Sequence, residues 1–478
     1  MIARRFSSLV LLALLLSGAP SASAQVVEGP RSSDVDALLQ PWDDGDSPGA
    51  AVLVMREGKI LHSRGYGSAN LEEGAPITPA TVFDGASLAK QFAAMAVLLL
   101  VDDGLLDLDD DVRSHLPEMP DFGERITLRQ LLHHTAGLRD WPQTLVLTGW
   151  TFRDPISLDD ILEMVVRQGE LNFAPGSDYA YSNTGYNLLA EIVARTTGQS
   201  FADFSRERIF APLGMSSTSV RDDPTEASPG WAMSYAAEAD GSFRLVPSYL
   251  AAPGSSSIFT TAEDLALWID NFRDPVVGDA TMLEAMHRQG TLGNGDSIDY
   301  ALGQEVAEYR GLRVFTHGGA WAGYRSIILR VPETDFAVAI LANTSTILPT
   351  RLALRVVDLY LADDLLPFPV APADGASGGS GHEDPPQPWN PDVETLREFV
   401  GSYESPELRS TWRLELVDDR LVARHARGDP QLLHPVAADR FQAYAFGDMR
   451  FERSAGGEVE SFTANSSRVR GLRFHRKR

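Results

Sequence analysis

Short runs rich in aliphatic and β-branched residues at positions 49–55 and 59–65 flank Glu57-Gly58, a spacing that predicts a β-hairpin near the start of the chain. The pattern then turns helical. Residues 87–101 predict an apolar helix closed by Gly104, and residues 126–133, 157–168, 185–196 and 200–210 predict further helices. Ser157 with Asp160 and Thr261 with Asp264 have the spacing of capping boxes. From Tyr300 the period shortens to two: residues 301–307, 312–316, 323–331 and 336–342 read as consecutive antiparallel strands, and 349–361 as a helix that covers them. The expected fold class is α/β of the α+β kind. An antiparallel sheet drawing on both ends of this unit is flanked by helices, with a helical subdomain between.

Residues 367–390 (PFPVAPADGASGGSGHEDPPQPWN) break every period and are rich in Pro, Gly and Ser, the composition of a linker. Beyond them short alternating runs return, 412–417 and 420–424 about Asp418-Asp419 and another pair about Gly456-Gly457, which predicts a small all-β barrel or sandwich. At the other end, Arg4 and Arg5, an apolar run over 9–16 and Ala22-Ser23-Ala24 form the pattern of a signal peptide. That run is too short to span hydrocarbon of about 30 Å, so export to the periplasm or the medium is expected rather than a membrane span. The expected organisation is a signal peptide at 1–24, a main unit at 25–366, the linker at 367–390 and a β unit at 391–478; no internal repeat is seen.

Composition narrows the chemistry. With 478 residues and a formal charge of −25, the chain is a soluble globular type that repels phosphate backbones, so nucleic acid is not an expected partner. It has no cysteine, which removes thiol nucleophiles, disulfides and thiolate metal sites. Its only lysines are Lys59, Lys90 and Lys477, and every other basic residue is arginine. Arginine stays protonated in proteins, so a retained lysine marks a candidate position for an amine that must lose its proton.

Ser87 and Lys90 supply such a pair. Residues three apart on a helix share a face, so the amine can reach the hydroxyl, and a helix amino terminus offers N–H groups to developing negative charge. An S-x-x-K match arises readily by chance, and two further segments strengthen it. Tyr181-Ser182-Asn183 sits on a predicted loop just ahead of a helix, where a phenol can relay protons. His317-Gly318-Gly319-Ala320 ends the 312–316 strand, and its glycines let a substrate backbone lie close. Each of these also has a plain reading as a turn.

Taken together and in this order, the three motifs resemble the serine β-lactamase-like hydrolases related to class C β-lactamases, DD-peptidases and esterases, over about residues 35–362. The segments Leu132-His133-His134-Thr135-Ala136-Gly137-Leu138 and Pro253-Gly254 through Asp264 are similar too. The resemblance implies that Ser87 is acylated, that Lys90 and Tyr181 share the acid/base work, and that Asn183 holds Lys90 and the substrate amide. It further implies an oxyanion hole from the N–H groups of Ser87 and Ala320, and a pocket lined by Gly318 and Gly319. His317 stands where many relatives carry lysine, and is expected to line the pocket and polarise Tyr181. Its ordinary pKa, about 6.5, leads to an expected activity change between about pH 5 and 8. The β unit is similar to lipocalin-like domains appended to some of these hydrolases.

The implied function is an exported acyl-enzyme hydrolase of amide or ester bonds, of the D-alanyl-D-alanine carboxypeptidase type, with carboxylesterase or D-aminopeptidase as alternatives. Its partner is a small amide, ester or peptide, and no cofactor or metal is expected. Three competing readings have less to stand on. A nucleophile elbow at Gly85-Ala86-Ser87-Leu88-Ala89 leaves Lys90 without a role, and the Asp107, Asp109, Asp110, Asp111 run lacks the EF-hand glycine. His133-His134 has no third ligand at zinc spacing. A non-catalytic binder of peptidoglycan amides remains the alternative from another class.

Overall fold

The computed structural model describes residues 27–151, 154–226, 230–368 and 389–477, so the expected signal peptide and all of the expected linker but its ends lie outside the described residues. The main sheet has seven strands: β1 (Val27–Glu28), β2 (Ala50–Arg56), β3 (Lys59–Tyr66), β4 (Glu305–Tyr309), β5 (Leu312–Trp321), β6 (Tyr324–Val331) and β7 (Phe336–Ala342). They lie in the order β1-β3-β2-β7-β6-β5-β4, and every pairing is antiparallel. An antiparallel sheet is not the parallel one that a nucleophile elbow requires. The β2–β3 turn puts Glu57 and Gly58 both at positive φ, 54° and 69°, the twist that suits a two-residue hairpin.

Strands β2 and β7 join the two ends of this unit at the sheet's centre, and their near-continuous apolar runs have both faces covered. Ala50, Val52, Val54, Val338 and Ile340 point to one side, where α1 (Ser32–Leu39) and α6 (Pro349–Tyr360) cover them. Ala51, Leu53, Ala337, Ala339 and Leu341 point to the other, beneath α2 (Ala89–Asp102) and α5 (Ala262–Asn271). Helix α2 is buried around its whole circumference from Ala89 to Leu100, as its apolar run from Phe92 to Val101 requires, and it takes Lys90 and Gln91 into the interior with it. Two further helices, α3 (Leu158–Val165) and α4 (Asn183–Thr197), belong to the block between the two strand sets. Ser157 and Asp160 form the expected capping box on α3. At α5 only half of the box forms. Thr261 accepts from the Asp264 N–H, but the Asp264 carboxylate is taken by Ser217 N–H (2.9 Å) and the Thr218 hydroxyl (2.7 Å).

Residues 401–476 form a nearly closed nine-stranded antiparallel barrel: β8 (Gly401–Ser405), β9 (Ser410–Val417), β10 (Arg420–His425), β11 (Gln431–Leu432), β12 (His434–Ala437), β13 (Arg440–Ala443), β14 (Gly447–Arg453), β15 (Val459–Asn465) and β16 (Leu472–Arg476). The β9–β10 turn again uses two positive-φ residues, Asp418 and Asp419. The barrel core of Phe399, Tyr403, Trp412, Phe441, Phe462 and Phe474 also takes in Leu147 from the larger unit. No helix among the described residues is long and apolar enough to cross a membrane.

Candidate active site

Ser87 sits in a single 3₁₀ turn, Ala86–Leu88, immediately before α2, rather than inside the α-helix that the sequence predicts. Ala86 has φ of 48°, the left-handed region that costs a residue with a Cβ about 1 kcal/mol or more. Three bonds over-determine it. Asp84 Oδ1 accepts from the Ala86 N–H (2.8 Å), Ile258 O from the Gly85 N–H (2.7 Å) and Gly85 O from the Ser326 hydroxyl (2.8 Å). The bent turn leaves Ser87 half-exposed to a cleft while Lys90, three residues on, is fully buried behind it.

The Lys90 Nζ has three polar neighbours: Asn183 Oδ1 at 2.8 Å, Ser255 O at 2.7 Å and Ser87 Oγ at 3.2 Å. The first two are carbonyl oxygens and can only accept, so they take two N–H groups. In a neutral amine the remaining position is the lone pair, and it faces the Ser87 hydroxyl. Burial pulls this amine well below the ordinary lysine value; Asp140 opposes the shift and Arg468 adds to it. The Tyr181 ring lies 4.8 Å from Nζ, and Tyr181 lines the same cleft as Ser87. Burial raises the Tyr181 pKa well above the ordinary value, so it stands as a neutral phenol.

Asn183, expected on a loop ahead of a helix at 185, is itself the first residue of α4, and its N–H and Nδ2 both donate to Asp140 Oδ1 (2.8 and 3.0 Å). Asp140 is itself buried, which raises its pKa against the pull of Arg468 and the Asn183 bonds. The Arg468 guanidinium bonds Asp140 Oδ2 at 3.2 Å and lies 4.6 Å from the centre of the Tyr181 ring.

The strand expected to stop at Thr316 continues through both glycines to Trp321, because β6 pairs with it on one side along that length. On the other side β4 pairs only as far as Thr316, so the β5 edge over His317 to Trp321 borders the cleft. Gly319 is where β5 passes the Ser87 turn. A Cβ there would lie 2.3 Å from Gly85 O and 2.2 Å from Ser326 Oγ, whereas one on Gly318 would meet only Ser326 O at 3.6 Å. Ala320, next along this edge, lines the same cleft.

His317 departs from expectation in two ways. Its Nδ1 faces Gly318 O (2.7 Å) and so carries the proton, which leaves Nε2 to accept from the Tyr300 hydroxyl at 3.1 Å; neither nitrogen is bonded to Tyr181, whose ring centre is 6.1 Å away. Burial, with Lys90 adding to it, lowers its pKa to about 3, so it stays neutral from pH 5 to 8 and is not the expected titrating group. It lines the cleft without polarising Tyr181.

The cleft has a volume of about 710 Å³ and brings together Ser87, Tyr181, Asn183, His317, Gly318, Gly319 and Ala320, with Trp141, Trp321, Glu305 and Arg468 as further walls. Sequence reasoning missed Asp140, Tyr300 and Arg468, and held Ser255 only as part of the segment from Pro253 through Asp264. His134, inside a segment noted for its similarity, packs at 4.3 Å on the Tyr181 ring and accepts the Ser182 N–H at Nδ1 (3.1 Å).

Comparison with known proteins fits this geometry. The family described as Beta-lactamase matches residues 35–362. The chain is 30% identical to penicillin-binding protein 4* of Bacillus subtilis (strain 168), over 66% of this chain and 72% of that protein. It is 29% identical to a D-aminopeptidase of Gluconobacter oxydans (strain 621H), over 62% of this chain and 56% of the relative, so it spans little more than half of that enzyme. Among solved structures, the octameric penicillin-binding protein homologue of Pyrococcus abyssi covers 92% of this chain and 99% of its own length, with a TM-score of 0.62 and 21% identity, a likeness of fold. The chain belongs to the beta-lactamase family of serine hydrolases.

Proposed function

We propose that the protein is an exported hydrolase that cleaves small amides or peptides of the D-alanyl and D-amino-acid type through an acyl-enzyme on Ser87. The observation that carries this reading is the Lys90 amine, held by two carbonyl acceptors with the Ser87 hydroxyl at 3.2 Å in its third position, where the neutral amine would present its lone pair. In acylation, Ser87 Oγ attacks the carbonyl carbon and its proton passes to Lys90 Nζ. The N–H groups of Ser87 and Ala320 receive the oxyanion, and the resulting ammonium keeps its bonds to Asn183 Oδ1 and Ser255 O while lying beside the Tyr181 ring. The neutral Tyr181 phenol, beside Lys90 on the same cleft as Ser87, is suited to hand a proton to the leaving amine. The Lys90 ammonium then returns a proton to Tyr181; water attacks the ester carbonyl with the once more neutral Lys90 as base, and that proton passes to Ser87 Oγ as its bond to the acyl carbon breaks.

The β5 edge with its two glycines gives an extended substrate backbone a strand to lie along, which favours peptides and amides over simple esters. The D-aminopeptidase and penicillin-binding relatives support the substrate class, and the Arg4, Arg5 and Ala22-Ser23-Ala24 pattern supports export. A fluorophosphonate probe or labelled penicillin should mark the wild type and not Ser87→Ala. A panel of D-alanyl peptides, D-amino-acid amides, nitrocefin and p-nitrophenyl esters then ranks substrates. No labelling of either protein by any acylating probe would overturn the reading in favour of a binder.

A further inference from the structure

We infer that Arg468, carried by the carboxy-terminal barrel, is a positioning residue of the hydrolase site: paired with Asp140, it fixes the Asn183 amide against the Lys90 amine, so the barrel supplies a working part of the site. This rests on the reading of Lys90 as the base. A line of contacts, each partner held by the next, runs from the barrel to the amine. Arg468 Nη1 donates to Asp140 Oδ2 (3.2 Å), Asp140 Oδ1 accepts both N–H groups of Asn183, and Asn183 Oδ1 accepts from Lys90. Asn183 has its amide orientation set by this arrangement, because Asp140 can only accept and therefore turns Oδ1 toward Lys90.

The loop that carries Arg468, between β15 and β16, is fastened to the hydrolase unit on both sides of the arginine. Arg468 O accepts from Asn172 Nδ2 (2.9 Å) and Asp140 N–H (3.2 Å), Arg470 N–H donates to Asn172 Oδ1 (2.7 Å), and Ser466 Oγ donates to Gln143 Oε1 (2.5 Å). Such a loop presents the guanidinium at a fixed place instead of letting it wander on the surface. The Arg468 side chain is 38% exposed, and it lines the cleft that holds Ser87.

The charges around Lys90 make the role testable. The groups facing it are Asp140, Arg468, His134, His317, Tyr181 and Tyr186; both imidazoles are held neutral by burial, and both phenols are held protonated. Asp140 and Arg468 are then the two charged neighbours whose removal pushes the Lys90 pKa in opposite directions, down for Asp140 and up for Arg468. The limb positions report that both charges reach the amine, and the labelling rate with its rescue by guanidinium reports the positioning.

The test uses the full-length protein and the pH dependence of the rate at which a neutral fluorophosphonate labels Ser87. Arg468→Ala should label at least tenfold more slowly and move the acid limb to higher pH. Asp140→Asn should move the limb to lower pH. Arg468→Lys should keep the wild-type limb, and added guanidinium should speed Arg468→Ala at least severalfold. Unmoved limbs, or limbs that move the same way in Arg468→Ala and Asp140→Asn, would overturn the inference while leaving Ser87 chemistry intact. If Arg468→Ala loses its near-UV dichroism, Arg468→Lys against Asp140→Asn decides, a shared limb position overturning the inference. A wild type that does not label at all overturns the catalytic reading and this inference with it.

Discussion

A neutral amine has two protons and one lone pair, and Lys90 has a use for all three. Replacing it by methionine keeps most of the volume and removes the base, so Lys90→Met should lower kcat/KM by about 10²- to 10⁴-fold, the ordinary worth of a positioned general base. Its melting temperature should hold or rise, because a buried amine disfavours the folded state that encloses it. Steady-state kinetics beside thermal unfolding checks both halves. The pH profile separates Lys90 from His317. The active amine is neutral, so kcat/KM should climb with pH as Lys90 loses its proton and then level off. His317, with a pKa near 3, has already shed its charge. His317→Gln should therefore leave the acid limb in place while lowering the plateau, since the Gly318 and Tyr300 contacts of the imidazole are disturbed. A limb that disappears in this variant would return the titration to the histidine.

Strand β5 and the Ser87 turn meet at one glycine, and the two neighbouring glycines should respond differently to a methyl group. Gly319→Ala must displace Gly85 O or Ser326 Oγ, both of which hold the Ser87 turn, so a loss of roughly 1–3 kcal/mol in stability and of about 100-fold in kcat/KM is expected. Gly318→Ala has room and should melt with the wild type, as urea titrations of the two variants will show. Elements were legible in the sequence where their causes were local. Both hairpin turns with paired positive φ, the largely apolar α2 and the Ser157 cap follow from neighbours within a few residues. The 301–307 strand came out shifted, beginning only at Glu305, because Gly303 at φ 71° lies in a turn closed by the Ala301 N–H on Gln304 O. Asn183 was legible as a motif residue, but Asp140, which orients it, was not. Arg468 is 328 residues from its partner, and no periodicity links them.

At the scale of the molecule, the barrel is bolted to the hydrolase unit by buried polar contacts as well as apolar ones. Leu147 lies in the barrel core while its carbonyl accepts from Trp412 Nε1 (2.8 Å) and Ser410 Oγ (2.7 Å). Gly149, at φ 73°, lets the chain pass so close to His425 that no Cβ fits. Next to this seam Arg139, whose side chain is 3% exposed, pairs with Glu407 at 2.5 Å and donates to Arg470 O. A buried ion pair contributes little over an apolar replacement, but removing one partner strands the other charge. Glu407→Ala should thus cost roughly 2–3 kcal/mol, discounted because Glu407 retains some exposure. Since Arg139 adjoins Asp140 and also holds Arg470, two residues beyond Arg468, catalysis should fall with stability. The paired change Arg139→Met with Glu407→Leu removes both charges and should recover most of the lost stability, with the loop around Arg468 left less firmly held. Urea unfolding of the single and paired variants, read beside Ser87 labelling rates, separates the two effects. A single variant as stable as the wild type would mean that the apolar contacts around Leu147 hold the barrel by themselves.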